Sequence, residues 1–463
     1  MRRRSSSSVR PYDAHDMNEK INIPVITPLQ KLNRSTKNNI LLSQNTLPSS
    51  FTIKSKKTST SDKMSGSLLQ VAGVGAHDSF ITVKPEITFW RGGYQRHTRF
   101  AVEPIRVDFT GTANYGNTVT ALIPMNGDML GRMWVVATFN ALTPVAGPVH
   151  VTNAFGHALI DEVRITIGGN EIDRHYGDYL NCLEELSAEP GKELGETIFK
   201  SASAPQLVAW STTNHTLFIP LEFWFCRFYE QALPLIALQN NEIRLRIAFL
   251  AQANLFQLLA GGAAALTTNY TGATLTDVYL LCTYTFLDAF ERRYLARNTH
   301  QYLINTLQYT SATQLTGATS YTVQLQWNHP IKALIFVIQD VTHRTNNDRF
   351  NYEGLAPGDD PLVSARIQLN SQDRVTDLPA IFYRDVEPRR VAHRLPDKHI
   401  YMYSFALDPF SCKPTGHVNF SRIDRATVIL TTQAITAGEI RVYGLAANIL
   451  KIQNGMGNVR FAS

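Results

Sequence analysis

One short stretch near the middle of the chain, residues 153–178, limits the possible folds more than any other part of the sequence. Valine and isoleucine alternate with arginine and threonine over residues 163–167, which is the period-2 pattern of a half-buried strand. Gly168 and Gly169 follow, and a glycine pair can adopt the positive φ angles that a two-residue hairpin turn requires. Residues 170–174 continue as a return strand, so the sequence predicts a β-hairpin.

The register of this hairpin is left open by the sequence. A turn at Gly168 and Gly169 places Ile165 opposite Ile172, whereas a turn one residue later places Ile167 opposite Ile172. Both registers are antiparallel, and both bring two isoleucines together on one face of the hairpin.

Length and composition favour a protein of two β-rich domains. The chain has 463 residues, which is too long for one ordinary β-sandwich and fits two domains of roughly 200 residues. The 23 phenylalanines and 18 tyrosines suit strands.

No apolar run approaches the ~20 residues of a membrane span. The longest, residues 255–266, is interrupted by Gln257 and two glycines and predicts a loop. It lies in a small-residue connection, 250–276, that is long enough to indicate an external role or a tolerated surface insertion.

The four cysteines argue against a disulfide framework and against a zinc site. Cys182, Cys226, Cys282 and Cys412 are far apart and form no CxxC pair. We therefore expect buried, reduced thiols in a cytosolic product. The first ten residues are not followed by an apolar segment, so the sequence predicts no signal peptide.

Positive charge is concentrated in the first 63 residues. They hold twelve Lys and Arg against four Asp and Glu, a sum of +8, so the other 400 residues sum to −2 within the net +6. This segment is rich in Ser, Thr, Asn and Lys without periodicity, and it predicts a disordered basic N-terminal extension. It is either an arm that contacts anionic lipid, nucleic acid or acidic proteins, or a solvated leader. Met64 is an alternative to Met1 as the mature start.

The hairpin and other segments resemble the major capsid proteins of large icosahedral (nucleocytoplasmic) DNA viruses, most closely those of the chlorovirus and phycodnavirus type. The hairpin carries IGGNEIDRHYGD, and PEITF at 85–89 resembles the approach to the family's first domain. NFSRID at 419–424 and NGMG at 454–457 are further similarities. At 123–128 the family usually has Ser-Arg-Asn-Gly-Asp, whereas this chain has Ile-Pro-Met-Asn-Gly-Asp, which retains the turn. The resemblance covers about residues 64–463.

The resemblance implies an all-β fold of two tandem antiparallel eight-stranded jelly rolls, a double jelly roll. The expected boundaries are a basic extension at 1–63, the first jelly roll at 66–290, a linker at 291–308 and the second jelly roll at 309–463. The expected function is that of a major capsid protein. Such a protein forms homotrimeric, pseudo-hexagonal capsomers that tile the icosahedral shell of a large double-stranded DNA virus.

The same resemblance implies the partners and the location of the protein. Expected partners are neighbouring capsomers and minor capsid and penton proteins, with the N-terminal tail contacting an internal membrane or minor capsid proteins. No specific nucleic-acid partner is expected. The protein would be made in the host cytoplasm and would reside in the virion capsid. Two alternatives remain: a minor capsid or spike protein of this fold, and a jelly-roll protein that binds or cleaves carbohydrate.

An internal repeat supports duplication independently of the resemblance. Three segments of the first half have counterparts in the second half, in the same order. The matched segments are 164–174 with 366–374, 219–225 with 401–407, and 243–247 with 426–430. Two similarly ordered β-units in one chain indicate a duplicated domain.

No motif of the sequence indicates an enzyme. The chain lacks GxSxG, HExxH, a Walker loop and a Rossmann fingerprint after a strand, so we predict no catalytic residues, no cofactor and no metal. Asp173, His175 and Asp178 are residue types that bind metal or transfer protons. We favour a polar strand end in which they bond to a neighbouring loop.

An aromatic cluster and four glycosylation sequons complete the candidate sites. The cluster Phe223, Trp224, Phe225, Phe228 and Tyr229 suits either sugar stacking or a core with a subunit contact. We favour the second interpretation, with Phe223 and Phe225 on one face and Trp224 on the other.

Asn-x-Ser/Thr sequons occur at Asn33, Asn214, Asn269 and Asn419. Without a secretory signal they neither establish nor exclude glycosylation. We expect Asn269, within the small-residue connection, to be the most exposed of the four.

Overall fold

The structure is a computed structural model that describes residues 66–461. The basic extension predicted for residues 1–63 lies outside the described residues. The chain divides into two units, on either side of the bond between Gly93 and Tyr94. The described part of the first unit contains α1 (Gly66–Ala72) and α2 (Ala76–Thr82), neither of which buries a side chain.

The first half of the second unit is built from eight long antiparallel strands. They are β1 (Phe100–Asp108), β2 (Thr118–Ile123), β3 (Met129–Phe139), β4 (Ile160–Ile167), β5 (Asn170–Tyr176), β6 (His215–Pro220), β7 (Ile243–Phe249) and β8 (Leu275–Leu287). Two sheets form, in the strand orders β1-β8-β3-β6 and β2-β7-β4-β5. This order, in which the first and last strands are neighbours, is that of a jelly roll.

The second half repeats the same architecture. Its long strands are β9 (His300–Leu315), β10 (Ser320–Gln324), β11 (Pro330–Asp340), β12 (Leu362–Leu369), β13 (Gln372–Pro379), β14 (Tyr401–Ser404), β15 (Ala426–Thr432) and β16 (Gly438–Gln453). The two sheets have the orders β9-β16-β11-β14 and β10-β15-β12-β13. The predicted double jelly roll is therefore confirmed.

Helices and short strands occupy the connections between these strands. The helices are α3 (Phe155–Leu159), α4 (Gly177–Ser187), α5 (Ala204–Ser211), α6 (Trp224–Arg227), α7 (Ala289–Arg297), α8 (Val341–Thr345) and α9 (Glu387–Val391). The short strands are Leu142–Pro144, Val149–Val151, Leu233–Pro234, Phe256–Leu258, Tyr270–Gly272, Val418–Asn419 and Met456–Val459. Across residues 66–461, no helix has the length and apolar character needed to cross a membrane.

The hairpin predicted from the sequence is formed by β4 and β5. Its turn is at Gly168 and Gly169, with φ angles of +59° and +85°. The expected pairing of Ile165 with Ile172 is wrong, because a β-bulge makes Ile165 face Asp173 instead. The bulge places an extra residue in β5. Both Ile172 and Asp173 are consequently buried, at 6% and 4% exposure.

The internal repeat corresponds to equivalent strands of the two rolls. Segments 164–174 and 366–374 both lie in the hairpin between the fourth and fifth strands of their roll. The strand predicted at 219–225 is wrong in its extent, because β6 ends at Pro220 and a helix begins at Trp224. Trp224 is therefore buried rather than on an outer face.

The connection 250–276 is not a simple surface loop. Two short strands within it pair with the connection between β3 and β4. Its side chains Leu255, Phe256 and Tyr270 are fully buried. The apolar content of 255–266 thus fills the core, which explains why a stretch of small residues also carries large apolar ones.

The two rolls share a hydrophobic core. One cluster of buried side chains contains the strands of the first roll together with Ile304, Tyr443 and Leu445 of the second. A further cluster fills the interior of the second roll alone. Both α7 and the start of β9 overlap the segment 291–308 that the sequence assigns to a linker. The rolls are thus joined by packing as well as by the chain.

Candidate functional site: the contact between the two rolls

Asp173, at the bulge in β5, fixes the first strand of the second roll. Its Oδ1 accepts a hydrogen bond from the backbone amide of Leu307 on β9 at 2.9 Å, and another from the amide of Arg174. Its Oδ2 lies 3.0 Å from Nε2 of His175. Both the acid and the histidine are buried.

The His175 ring is enclosed by aromatic side chains. It stacks on Phe223 with ring centroids 4.7 Å apart and meets Tyr179 at 5.2 Å. Within residues 66–461, no group of three His, Cys, Asp or Glu is arranged to hold a metal ion. The structure brings Asp173 and His175 together as a polar strand end, which is the interpretation favoured from the sequence.

Asp178, the third of the polar residues singled out from the sequence, pairs with an arginine of the second roll. Its Oδ2 accepts a hydrogen bond from Nη1 of Arg441 on β16 at 2.5 Å. Arg441 also donates to Gln339 at 3.1 Å and lies 3.0 Å from a carboxylate oxygen of Glu439. Burial alone would lower the pKa of Arg441, but Asp178 and its neighbours hold that pKa well above the usual value. Arg441 is therefore a charged crosslink between the rolls.

Four tyrosines pack beside this ion pair. Tyr176 and Tyr179 come from the first roll, and Tyr309 and Tyr443 come from the second. Ring centroids lie 5.0 Å apart for Tyr176 and Tyr309, and 5.6 Å apart for Tyr179 and Tyr443. Burial raises the pKa of Tyr309 and Tyr443. The rings therefore remain neutral and add apolar area to the contact.

The NGMG segment forms the contact at the chain end. The backbone amide of Asn240 donates to the carbonyl of Gly455 at 3.0 Å, and Nδ2 of Asn241 donates to the carbonyl of Gly457 at 3.1 Å. A Cβ on Gly457 would lie 2.6 Å from Leu238. The two glycines thus allow the end of the second roll to approach the first, and the motif is a packing device.

A third group of contacts involves the long connections. Nδ2 of Asn347, in the second roll, donates to the carbonyls of Ala253 and Phe256 at 2.8 Å each. Glu185 of α4 lies 2.8 Å from Lys200 and 3.6 Å from Arg394 of the second roll. Burial alone would raise the pKa of Glu185, but the surrounding positive charges hold it below the usual value.

Asp128 is a residue whose role the sequence analysis did not identify. The Asn-Gly-Asp segment predicts a turn, and in the structure it connects β2 to β3, which lie in different sheets. Asp128 is buried at 5% exposure. Its Oδ2 accepts a hydrogen bond from the amide of Leu287 at 2.9 Å, and its Oδ1 lies 3.0 Å from Arg292. It therefore holds the start of α7, which leads into the second roll.

The exposure of the sequon asparagines differs from what the sequence predicts. Asn214 and Asn419 are exposed, whereas Asn269 is half-buried. Oδ1 of Asn269 accepts a hydrogen bond from the amide of Ala265 at 2.8 Å, which holds the side chain against its loop. The expectation that Asn269 is the most exposed is wrong, and Asn33 lies outside the described residues.

The cysteines are free. Cys182, Cys226 and Cys282 are buried, and Cys412 is half-buried. Burial raises the pKa of Cys182 and Cys282 to about 12, so both remain protonated. The prediction of buried thiols is confirmed for three of the four.

Comparison with known proteins identifies the family. Residues 88–288 match the family model described as the major capsid protein N-terminus, and residues 291–458 match the large eukaryotic DNA virus major capsid protein. The two matches correspond to the two rolls. Together they span most of the chain.

Individual relatives agree with this. The major capsid protein of Pyramimonas orientalis virus is 34% identical over 427 residues, covering 86% of this chain and all of the relative. That of Paramecium bursaria Chlorella virus 1 is 30% identical over 450 residues, with the same coverage. A quasi-atomic model of the PBCV-1 virus capsid superposes with a TM-score of 0.70 at 28% identity, covering 81% of this chain and all of that chain.

The contact between the rolls is built from packed side chains, hydrogen bonds and ion pairs that join the two halves of the chain. The chain belongs to the major capsid protein family of large eukaryotic DNA viruses, close to the phycodnavirus and chlorovirus members, and it is a structural component of the virion capsid rather than an enzyme.

Proposed function

We propose that this chain is the protomer of a homotrimeric capsomer. Each protomer contributes two rolls of the same strand order, and these rolls share one core. Three such protomers around one axis present six similar units, which gives a nearly hexagonal outline suited to tiling a shell. The duplicated, fused architecture is the observation that carries this proposal.

The flank of the first roll offers a surface for contact between chains. Phe100 and Val102 on β1, and Phe290 and Tyr294 on α7, are between 54% and 77% exposed. A hydrogen bond of 2.8 Å from Thr98 to Glu291 brings the two elements together. We call these four exposed apolar residues the β1–α7 patch, and exposed apolar surface of this kind marks protein interfaces.

Residues 66–93 also suit burial in the assembled shell. The side chains of Phe80, Phe89 and Trp90 are 91%, 88% and 96% exposed. Leaving such aromatic side chains in water forgoes roughly 1.5–3 kcal/mol for each one. We propose that this segment packs against other chains of the capsid.

The oligomeric state tests the proposal directly. Purified full-length protein should have a mass three times the 51.8 kDa of the chain in native mass spectrometry. A stable monomer at micromolar concentration that binds or cleaves glycans would contradict it and favour the carbohydrate alternative.

Substitutions in the β1–α7 patch test the surface. Phe100→Asp and Phe290→Asp should convert the trimer to monomers, because each places a charge in an apolar contact. Leu407→Asp is the matched control, since Leu407 is 75% exposed and lies outside the patch. Trimers that survive both patch substitutions would exclude this surface.

The basic extension is assigned to the shell's inner contacts. We propose that residues 1–63 bind minor capsid proteins or anionic internal membrane, where each Lys or Arg near the surface adds ~1 kcal/mol. Neighbouring capsomers and penton proteins are the other proposed partners, and synthesis is assigned to the host cytoplasm.

Deleting residues 1–63 should leave trimers intact and impair shell assembly. Unaltered assembly would identify the extension as a dispensable leader.

For glycans, we propose Asn214 and Asn419 as acceptors ahead of Asn269, on the basis of exposure. Peptide mapping of protein from virions tests this order. A glycan on Asn269 alone would contradict it.

A further inference from the structure

A cavity of about 700 Å³ lies at one end of the second roll. The starts of β9 and β11, the later part of β16, the connection between β14 and β15, and the end of the described chain surround it. Most of its wall is apolar. The apolar residues of the wall are Leu303, Pro330, Pro414, Ala447, Ile449 and Phe461. We call this space the β11–β16 cavity. Its volume is within the range of small-molecule sites, which are mostly apolar with a few placed polar groups.

The polar residues of the wall are basic or uncharged. Lys332, Arg460, His329 and His417 line the cavity, whereas no Asp or Glu does. The two cationic side chains Lys332 and Arg460, in a wall without a carboxylate, favour an anionic ligand.

Lys332 is the decisive member of this set. It is 2% exposed, and its Nζ donates to Oδ1 of Asn305 at 2.7 Å and to the carbonyl of Ser411 at 3.3 Å. Neither partner carries a charge, and within residues 66–461 Lys332 takes part in no ion pair. An ammonium has three donors, and these two partners use two of them.

The energetics of Lys332 indicate a missing counter-ion. A buried ammonium without an anionic partner is costly, since burial removes its hydration. Burial lowers the pKa of Lys332, and Cys412 and Asp408 offset this only in part. One carboxylate in the cavity would supply the absent negative charge.

His329 provides a second, independent indication. It is 7% exposed and lines the same cavity, and its Nε2 has no hydrogen-bond partner. Buried ring nitrogens are ordinarily bonded, so an unpartnered one in a cavity wall calls for a ligand or water. Burial also lowers the pKa of His329, which keeps the ring neutral in the absence of an anion.

We propose that the β11–β16 cavity binds a long-chain carboxylate of the fatty-acid type, with its head group against Lys332 and its hydrocarbon chain along the apolar wall. A monoanion balances the single buried ammonium. The site therefore favours an amphiphile with one negative charge.

Calorimetric titration of the intact full-length protein with dodecanoate tests this proposal. Dodecanoate should bind with one molecule per chain, and dodecanol should bind at least about tenfold more weakly, because it cannot form the charged hydrogen bond. Inorganic phosphate, which lacks the chain, should not bind measurably. Equal binding of dodecanol, or no binding of dodecanoate, would overturn the proposal. Binding of a short peptide of alternating leucine and glutamate in place of dodecanoate would also overturn it.

Two variants assign the head group. Lys332→Met should weaken dodecanoate at least about tenfold and leave dodecanol unchanged. Arg460→Gln, at an exposed position of the wall, provides a second variant that does not disturb the interior and should also weaken dodecanoate. Arg425→Gln is the matched control, because Arg425 is exposed and outside the cavity. Unchanged dodecanoate affinity in both Lys332→Met and Arg460→Gln would refute the site.

Discussion

The guanidinium of Arg441 in the second roll pairs with the carboxylate of Asp178 in the first, and the two side chains are only 5% and 14% exposed. The residues are 263 positions apart in the chain. A pair buried at this depth is expensive to break, because the remaining charge loses its partner without regaining water. The relationship makes the orientation of one roll depend on a charge in the other.

Replacing Asp178 by Asn should therefore destabilise the protein by about 3–5 kcal/mol. The thermal unfolding midpoint measures the loss. Glu189→Gln is the matched control, since the Glu189–Lys192 pair is 62% and 73% exposed and solvent screens its charges. Similar thermal midpoints for the two variants would show that the buried pair contributes no more to stability than the exposed pair.

His157 should make the folded protein sensitive to mild acid. Burial lowers its pKa to about 3, with Lys200 and Lys398 adding to the effect. Below pH 6.5 an unfolded histidine binds a proton that the folded one refuses until near pH 3. The unfolded state then holds more protons, so stability falls as pH falls, by about 1.4 kcal/mol per pH unit in this window.

The His157→Gln variant isolates this contribution. Thermal midpoints of the two proteins between pH 7 and pH 5 should converge as pH falls, because the variant lacks the titrating ring. Parallel curves would show that His157 does not titrate in this way.

Gly177, the glycine of the HYGD segment, should tolerate no side chain. A Cβ there would lie 2.2 Å from the carbonyl oxygen of His157 and 2.3 Å from that of Ile160. Both obstacles are backbone atoms, so Gly177→Ala should cost at least about 3 kcal/mol and reduce the soluble yield. Gly131→Ala is the control, because its nearest atom is 3.6 Å away. A normal yield and midpoint for Gly177→Ala would contradict the packing described.

The thiols should divide into two classes. Cys412 is half-buried, whereas the other three are buried and burial raises the pKa of each. A thiol reagent should therefore modify about one thiol per native chain within minutes and all four after denaturation. In Cys412→Ser the fast phase should disappear. A fast phase that persists would show that a second cysteine is accessible.

Local sequence patterns predicted the elements but not their contacts. Alternation and a glycine pair were sufficient for the β4–β5 hairpin, and repeated strand patterns revealed the duplication. The bulge at Ile172 could not be predicted, because it exposes Asp173 to a hydrogen-bond partner on β9 that is more than 130 residues away in the chain. Periodicity along one segment carries no information about such a partner.

Two other errors have a local origin. Trp224 was placed by strand alternation, but β6 ends at Pro220 and the chain turns into a helix. Asn269 was placed by the composition of its loop, yet its side chain is bonded to Ala265 within that loop. In both cases the local backbone geometry and hydrogen bonding decided where the side chain lies, and neither strand alternation nor loop composition predicts them.

The position of β16 in its sheet determines when the second roll can form during synthesis. This strand lies between β9 and β11, yet it is the last long strand to leave the ribosome. Until then β9, which belongs beside it, has an unpaired edge and apolar side chains without cover. The nascent chain therefore carries an unfinished second roll until β16 has been synthesised. Chaperone binding during synthesis should accordingly concentrate on the segment between β9 and β16.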